Sequence, residues 1–178
     1  APMLRKFYLE MTNYIKSIDP NHLVTSGDAN VRETSQSLRE SFPDQVWIVD
    51  SLRQNMANLL NSQPEPLDVF SFHQYGSFKE NCKVGNLAYI DYFRCMIRTA
   101  HSSLVPILIG ELGQFEPSFK DDPDSKWTLS AIDMMEEENV SLVCLWVWHF
   151  PHQPENDIRS SSHPLLMDRI AEFNNRYF

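Results

Sequence analysis

Three short apolar runs of this 178-residue sequence end in residues able to do chemistry. Glu111 directly follows the run Pro106–Gly110, PILIG. His73 and Tyr75 close the run at 67–75, LDVFSFHQY, and Trp146 and Trp148 lie near the end of 141–150, SLVCLWVWHF. Side chains alternate along a strand, so His73 and Tyr75 share a face, as do Trp146 and Trp148, while Glu111 has the parity of Ile107 and Ile109. A carboxylate, a His/Tyr pair and an indole platform at neighbouring strand ends would make a sugar site. An anion stabilises a cationic sugar transition state, and indole faces pack well on a sugar ring. Each residue also has a plainer reading: Glu111 as a loop residue or helix cap, His73 as a satisfied interior histidine, the tryptophans as packing. Their joint placement favours a site.

The elements that must position these residues alternate. Leu4, Phe7, Met11, Tyr14, Ile15 and Ile18 recur at helical spacing up to Asp19-Pro20. A short strand is expected over 22–27, and a helix from Val46 carrying Ile48, Val49, Leu52, Met56, Leu59 and Leu60. Strands follow over 67–75, 106–110 and 141–150. Between them lie a helix bearing Tyr89, Ile90, Phe93, Met96 and Ile97 and another over about 126–138, capped by Asp124 or Ser125. A last helix opens at Ser162-His163-Pro164. Four buried strands alternating with helices predict parallel strands joined by right-handed crossovers in one domain, residues 1–178. Periodicity leaves two architectures open, a small open α/β sheet and half of an eight-stranded barrel. In either, functional side chains gather at the C-terminal ends of the strands.

Composition narrows the partners. A net charge of −9 supplies no basic stripe for nucleic acid. No run of about eighteen apolar residues marks a membrane span, and the N-terminal residues lack a signal-peptide pattern. Cys82, Cys95 and Cys144 have no metal-type spacing. Cys144 reads as a buried thiol, and Cys82 and Cys95 pair only in an oxidising compartment. His149 and His152 lie three apart in a Pro-flanked loop without a third ligand, and Asp121, Asp122 and Asp124 read as a solvated loop leading into a helix. No metal or organic cofactor is expected.

The order His73-Gln-Tyr75, then Gly110-Glu111-Leu-Gly113, then the Trp148-bearing strand resembles strands six to eight of glycoside hydrolase family 5, whose members are retaining (β/α)8-barrel glycosidases. Residues 7–28, FYLEMTNYIKSIDPNHLVTSGD, resemble that family's helix four and strand five. The resemblance implies the parallel (β/α)8 TIM-barrel type with about strands 5–8 in this chain. It implies Glu111 as nucleophile, Tyr75 as the hydroxyl orienting it, and His73 as a contact to substrate or to the acid/base. Trp148 would be the floor of the subsite for the cleaved sugar, with Trp146 a second candidate. The implied substrate is a β-linked polysaccharide or glycoconjugate, and export from the cell follows from the family alone.

The sequence departs from the family in one respect. The family's acid/base glutamate belongs to an Asn-Glu pair after strand four, and this chain has no such pair at a strand end. Asp28, Glu33 and Glu116 occupy expected loops without a match to that role. Three arrangements are compatible with this: a truncated chain, a second polypeptide carrying the N-terminal half-barrel, or self-association. By itself the chain is expected to hydrolyse poorly, and a non-catalytic carbohydrate-binding or scaffold protein is the alternative.

Overall fold

The computed structural model describes residues 2–77, 83–84, 87–116 and 118–177. Its elements are α1 (Pro2–Ile18), α2 (Ser35–Glu40), α3 (Leu52–Ser62), β1 (Phe70–Ser77), β2 (Lys83–Val84), β3 (Leu87–Ala88), α4 (Tyr89–His101), β4 (Ile107–Glu116), α5 (Lys126–Glu137), β5 (Leu142–Leu145) and α6 (Pro164–Tyr177). β1, β4 and β5 form one parallel sheet in that order. Ahead of them, Thr25 makes an isolated parallel bridge to Val69. The strands therefore stand in chain order with no reversal. β2 and β3 form a separate small antiparallel pair.

The two faces of the sheet decide between the architectures. Phe70 and Phe72 of β1 and Ile107 and Ile109 of β4 are buried with Phe93, Met96 and Ile97 of α4 and Ala131 and Met135 of α5. Phe72 meets Phe70 and Phe93 edge-on, with centroids 6.3 and 6.2 Å apart, each contact worth about 0.5–1.5 kcal/mol beyond burial. The alternate side chains, His73, Tyr75 and Glu111, lie on the opposite face and stay partly accessible. A doubly wound sheet buries both faces under helices, whereas a barrel wall is helix-covered on its outer face alone. The fold is a parallel α/β segment of the (β/α)8 type.

Several elements differ from the periodicity. The helix expected from Val46 begins at Leu52, because Ser51 and Gln54 form a reciprocal capping box that fixes its start. Val46, Trp47, Ile48 and Val49 are exposed in the preceding loop. That loop is tied down by Asp50, whose carboxylate accepts the backbone N–H groups of Gln36 and Ser37 at 2.7 and 2.9 Å. The apolar stripe of α1 is not its packed side: Phe7, Tyr14 and Ile18 are exposed, and the helix instead packs through Tyr8, Thr12 and Lys16. Lys16 pairs with Asp68 at 2.7 Å.

Neither Asp124 nor Ser125 caps α5 with its side chain. Ser125 adopts a left-handed conformation without a cap bond, and Asp122 accepts the Lys126 N–H at 3.0 Å. The strand expected over 141–150 stops at Leu145, so Trp146 and Trp148 lie beyond it. Cys144 is exposed rather than buried, because β5 is the last strand of the sheet and Cys144 alternates with the core-facing Val143 and Leu145. Cys95 is a free, half-buried thiol, and Cys82 lies outside the described residues.

Trp127 of α5 lies against β1 where a side chain on Gly76 would begin: a Cβ there would fall 1.7 Å from the indole. Gly76→Ala is expected to destabilise the chain by about 1–3 kcal/mol or more, read as a lower urea midpoint. An unchanged midpoint would show that Trp127 is free to move aside.

Candidate active site

The pairing of β1 with β4 slips by one residue. Phe72 stands opposite Ile109, but His73 stands opposite Glu111, which leaves Gly110 as the extra residue of a bulge. The slip reverses the parity expected from sequence. Ile107, Ile109 and, after the bulge, Leu112 are buried in the core layer, whereas Glu111 turns to the face of His73 and Tyr75. There the Tyr75 hydroxyl donates to Glu111 Oε2. His73 Nδ1 lies 3.4 Å from the same oxygen, with side-chain exposures of 22 % for His73 and 27 % for Glu111. Two groups from one strand thus converge on one carboxylate of the next.

Room for this comes from Gly113, opposite Tyr75 in the ladder. A Cβ on Gly113 would fall 2.4 Å from the Tyr75 ring. Phe115 then stacks on that ring with centroids 4.7 Å apart and planes at 14°. Sequence reading had not singled out Phe115; its signal was the alternation Glu111, Gly113, Phe115, visible once the bulge is placed. Burial, then the hydrogen bond to Glu111 and its negative charge, push the Tyr75 phenol well above the usual tyrosine range. Tyr75 is therefore a proton donor to Glu111, not a phenolate, at any ordinary pH.

Beyond β5, the Trp146 N–H continues the ladder to Leu112 O at 2.9 Å, and the Trp146–Val147 peptide is cis. Trp146 is half-buried, and its carbonyl lies beside Gly113. Trp148 is 62 % exposed, yet its flanking residues are pinned. Val147 exchanges backbone bonds with Asn156 and Ile158 at 3.2 and 2.9 Å. Asp157, buried, accepts from the Phe150 N–H at 2.8 Å, from His149 Nδ1 at 2.8 Å and from Arg159 Nη2 at 2.7 Å. These bonds hold the Asp157 carboxyl well below the usual range, the Phe150 N–H contributing most.

Residues 2–151 match the family model for cellulase, glycosyl hydrolase family 5. The chain belongs to glycosyl hydrolase family 5. None of the curated proteins searched matches it. Among solved structures it is similar to the hyperthermostable endo-1,4-β-D-mannanase from Thermotoga petrophila RKU-1, at 23 % identity and a TM-score of 0.46. That likeness covers 81 % of this chain and 40 % of the mannanase chain.

Family 5 membership makes it pertinent where the other carboxylates lie. Asp28 accepts from the Tyr8 hydroxyl at 2.5 Å and from Gln63 Nε2 at 3.2 Å. Burial and that bond to Asp28 push the Tyr8 phenol up to about 12. The Glu33 backbone carbonyl accepts from the Asp50 N–H and from Asn55 Nδ2. Burial raises the Glu33 carboxyl. The side chain of Glu116 lies outside the described residues. The hydrogen bonds and ion pairs found for Glu111 run to Tyr75 and His73.

Among the described residues no group of three or more His, Cys, Asp or Glu side chains is arranged to hold a metal ion. His149 is engaged by Asp157, and His152 packs on Phe150. Of the acidic cluster, Asp122 binds Gln114 Nε2 at 2.7 Å besides capping α5.

The Asp157 knot leads to a prediction. A depressed carboxyl contributes stability that is complete above the ordinary aspartate pKa of about 3.9 and is lost as pH falls through the lower folded-state value. The Phe150 amide is expected to stay protected from hydrogen exchange on acidification through the ordinary aspartate range. Asp157→Ala should speed its exchange by about tenfold or more. Equal exchange in both proteins would show that Asp157 does not fix the Trp148 loop.

Proposed function

We propose that this chain carries the nucleophile half of a retaining glycoside hydrolase acting on a β-linked polysaccharide or glycoconjugate. The observation that supports the reading best is the convergence of Tyr75 and His73 on one oxygen of Glu111, on the helix-free face of the sheet. In this reading Glu111 attacks the anomeric carbon, and its C–O bond forms as the bond to the leaving oxygen breaks. A second carboxylic acid protonates that oxygen, then removes a proton from the water that releases the sugar. Tyr75 holds Glu111 with one oxygen directed at the substrate, and His73 contacts substrate or the second carboxyl group. Trp148 and Trp146 supply the apolar floor for the sugar ring.

The second carboxylate must stand about 5–5.5 Å from Glu111. Asp28 is committed to Tyr8 and Gln63, so we assign that role to an N-terminal half-barrel. It would pair against the open edges at Thr25 and β5, and alone the chain should be catalytically poor. The uncovered apolar stripe of α1 supports this arrangement.

The complete protein is expected to be inactivated by a fluoro-sugar matched to its substrate, with the adduct mapping to Glu111; an adduct elsewhere overturns the assignment. Glu111→Gln should lower kcat by at least about a thousandfold. Tyr75→Phe removes a charge-assisted bond worth about 1.5–3 kcal/mol, or about 10- to 150-fold in kcat. Saturable glycan binding with no turnover in the complete protein would favour the carbohydrate-binding reading instead.

A further inference from the structure

β4 slips against β1 a second time beyond the Glu111 bulge. Gly76 stands opposite Gln114, but Ser77 stands opposite Glu116, which leaves Phe115 as the extra residue. The Phe115 backbone is also held by an antiparallel bridge to the buried Ser118. A fixed backbone therefore presents this ring, yet Phe115 is 59 % exposed.

What the ring touches is Tyr75, with centroids 4.7 Å apart and planes at 14°. Tyr75 pairs with Gly113, but its hydroxyl reaches Glu111, two residues nearer the start of β4. The Tyr75 ring therefore leans along β4 across Gly113, where a Cβ would fall 2.4 Å from it. Gly113 leaves the slot for the ring but has no side chain to keep it there. Phe115 is the next residue of that face, on the far side of Gly113 from Glu111. The hydroxyl end of Tyr75 is thus anchored on Glu111, and the face of its ring rests on Phe115. Tyr75 is only half-buried, so other staggered positions are open to it. A turn into any of them would break the bond to Glu111.

We propose that Phe115 is a positioning residue whose ring holds Tyr75 in the orientation that donates to Glu111. A stacked aromatic pair favours that orientation by about 2- to 12-fold. Phe115 acts through Tyr75 and needs no contact with substrate. Its consequence for hydrolysis rests on the glycosidase reading, whereas its hold on Tyr75 does not.

Three-bond couplings to Tyr75 Cγ, measured by NMR on this chain, read the side-chain rotamer directly. A single rotamer is expected in the unaltered chain and averaging in Phe115→Ala, a change at an exposed side chain. Phe115→Tyr keeps the stack and should restore the single rotamer. Averaging already in the unaltered chain, or an unchanged rotamer in Phe115→Ala, overturns the proposal. In the complete protein Phe115→Ala is expected to lower kcat by about 2- to 12-fold with KM little changed. In a Tyr75→Phe background it should add no further loss. Losses that multiply overturn the positioning role, as does a raised KM with unchanged kcat, which would make Phe115 a sugar platform instead. Averaging of Tyr75 in Phe115→Ala, beside a complete protein without Glu111-dependent turnover, would leave the hold on Tyr75 standing and overturn the glycosidase reading alone.

Discussion

Between Phe72 and His73 the ladder to β4 slips by one residue, and the remaining features of the site depend on that slip. On an unbroken ladder Glu111 would share a face with Ile107 and Ile109, in the layer sealed by α4 and α5. An unpaired carboxylate there would be strongly disfavoured in its charged form. With Gly110 as the extra residue, Glu111 turns to the accessible face, and the alternation beyond it resets. Leu112 and Gln114 are buried toward the helices, while Gly113 and Phe115 frame Tyr75. One extra residue thus separates a dry layer from an accessible one.

That separation leaves the sheet asymmetric. Its outer face is closed by aromatic and aliphatic packing from α3, α4 and α5. Its inner face presents His73, Tyr75 and Glu111, and both lateral edges, at Thr25 and at β5, lack a neighbouring strand among the described residues. Unpaired edges and an apolar stripe on α1 invite pairing. A second copy would bring the same net charge of −9 to the seam, and that repulsion works against self-association.

The acidic composition also has a structural use. Asp50, Asp122 and Asp157 are all buried, and each accepts at least one backbone N–H. Asp50 closes the loop ahead of α3, Asp122 starts α5, and Asp157 fixes the segment carrying Trp148. Charge-assisted bonds of this kind are about twice as strong as neutral ones. They give loops at the C-terminal side of the sheet a defined shape without large apolar cores of their own.

Much of this was legible in the residues. The alternation of helical and strand periods set the parallel α/β class, and the strand ends pointed to His73, Tyr75, Glu111 and the tryptophans. Family membership was legible because those motifs occur in a fixed order, which local pattern alone preserves. The failures share one cause, that burial and register are properties of neighbours. The α1 stripe, the length of β5, the exposure of Cys144 and the helix expected from Val46 all turned on what lies beside them. The facing of Glu111 was likewise decided by tertiary structure: a bulge exists only between two paired strands, so no reading of PILIGELG by itself could place that carboxylate beside Tyr75.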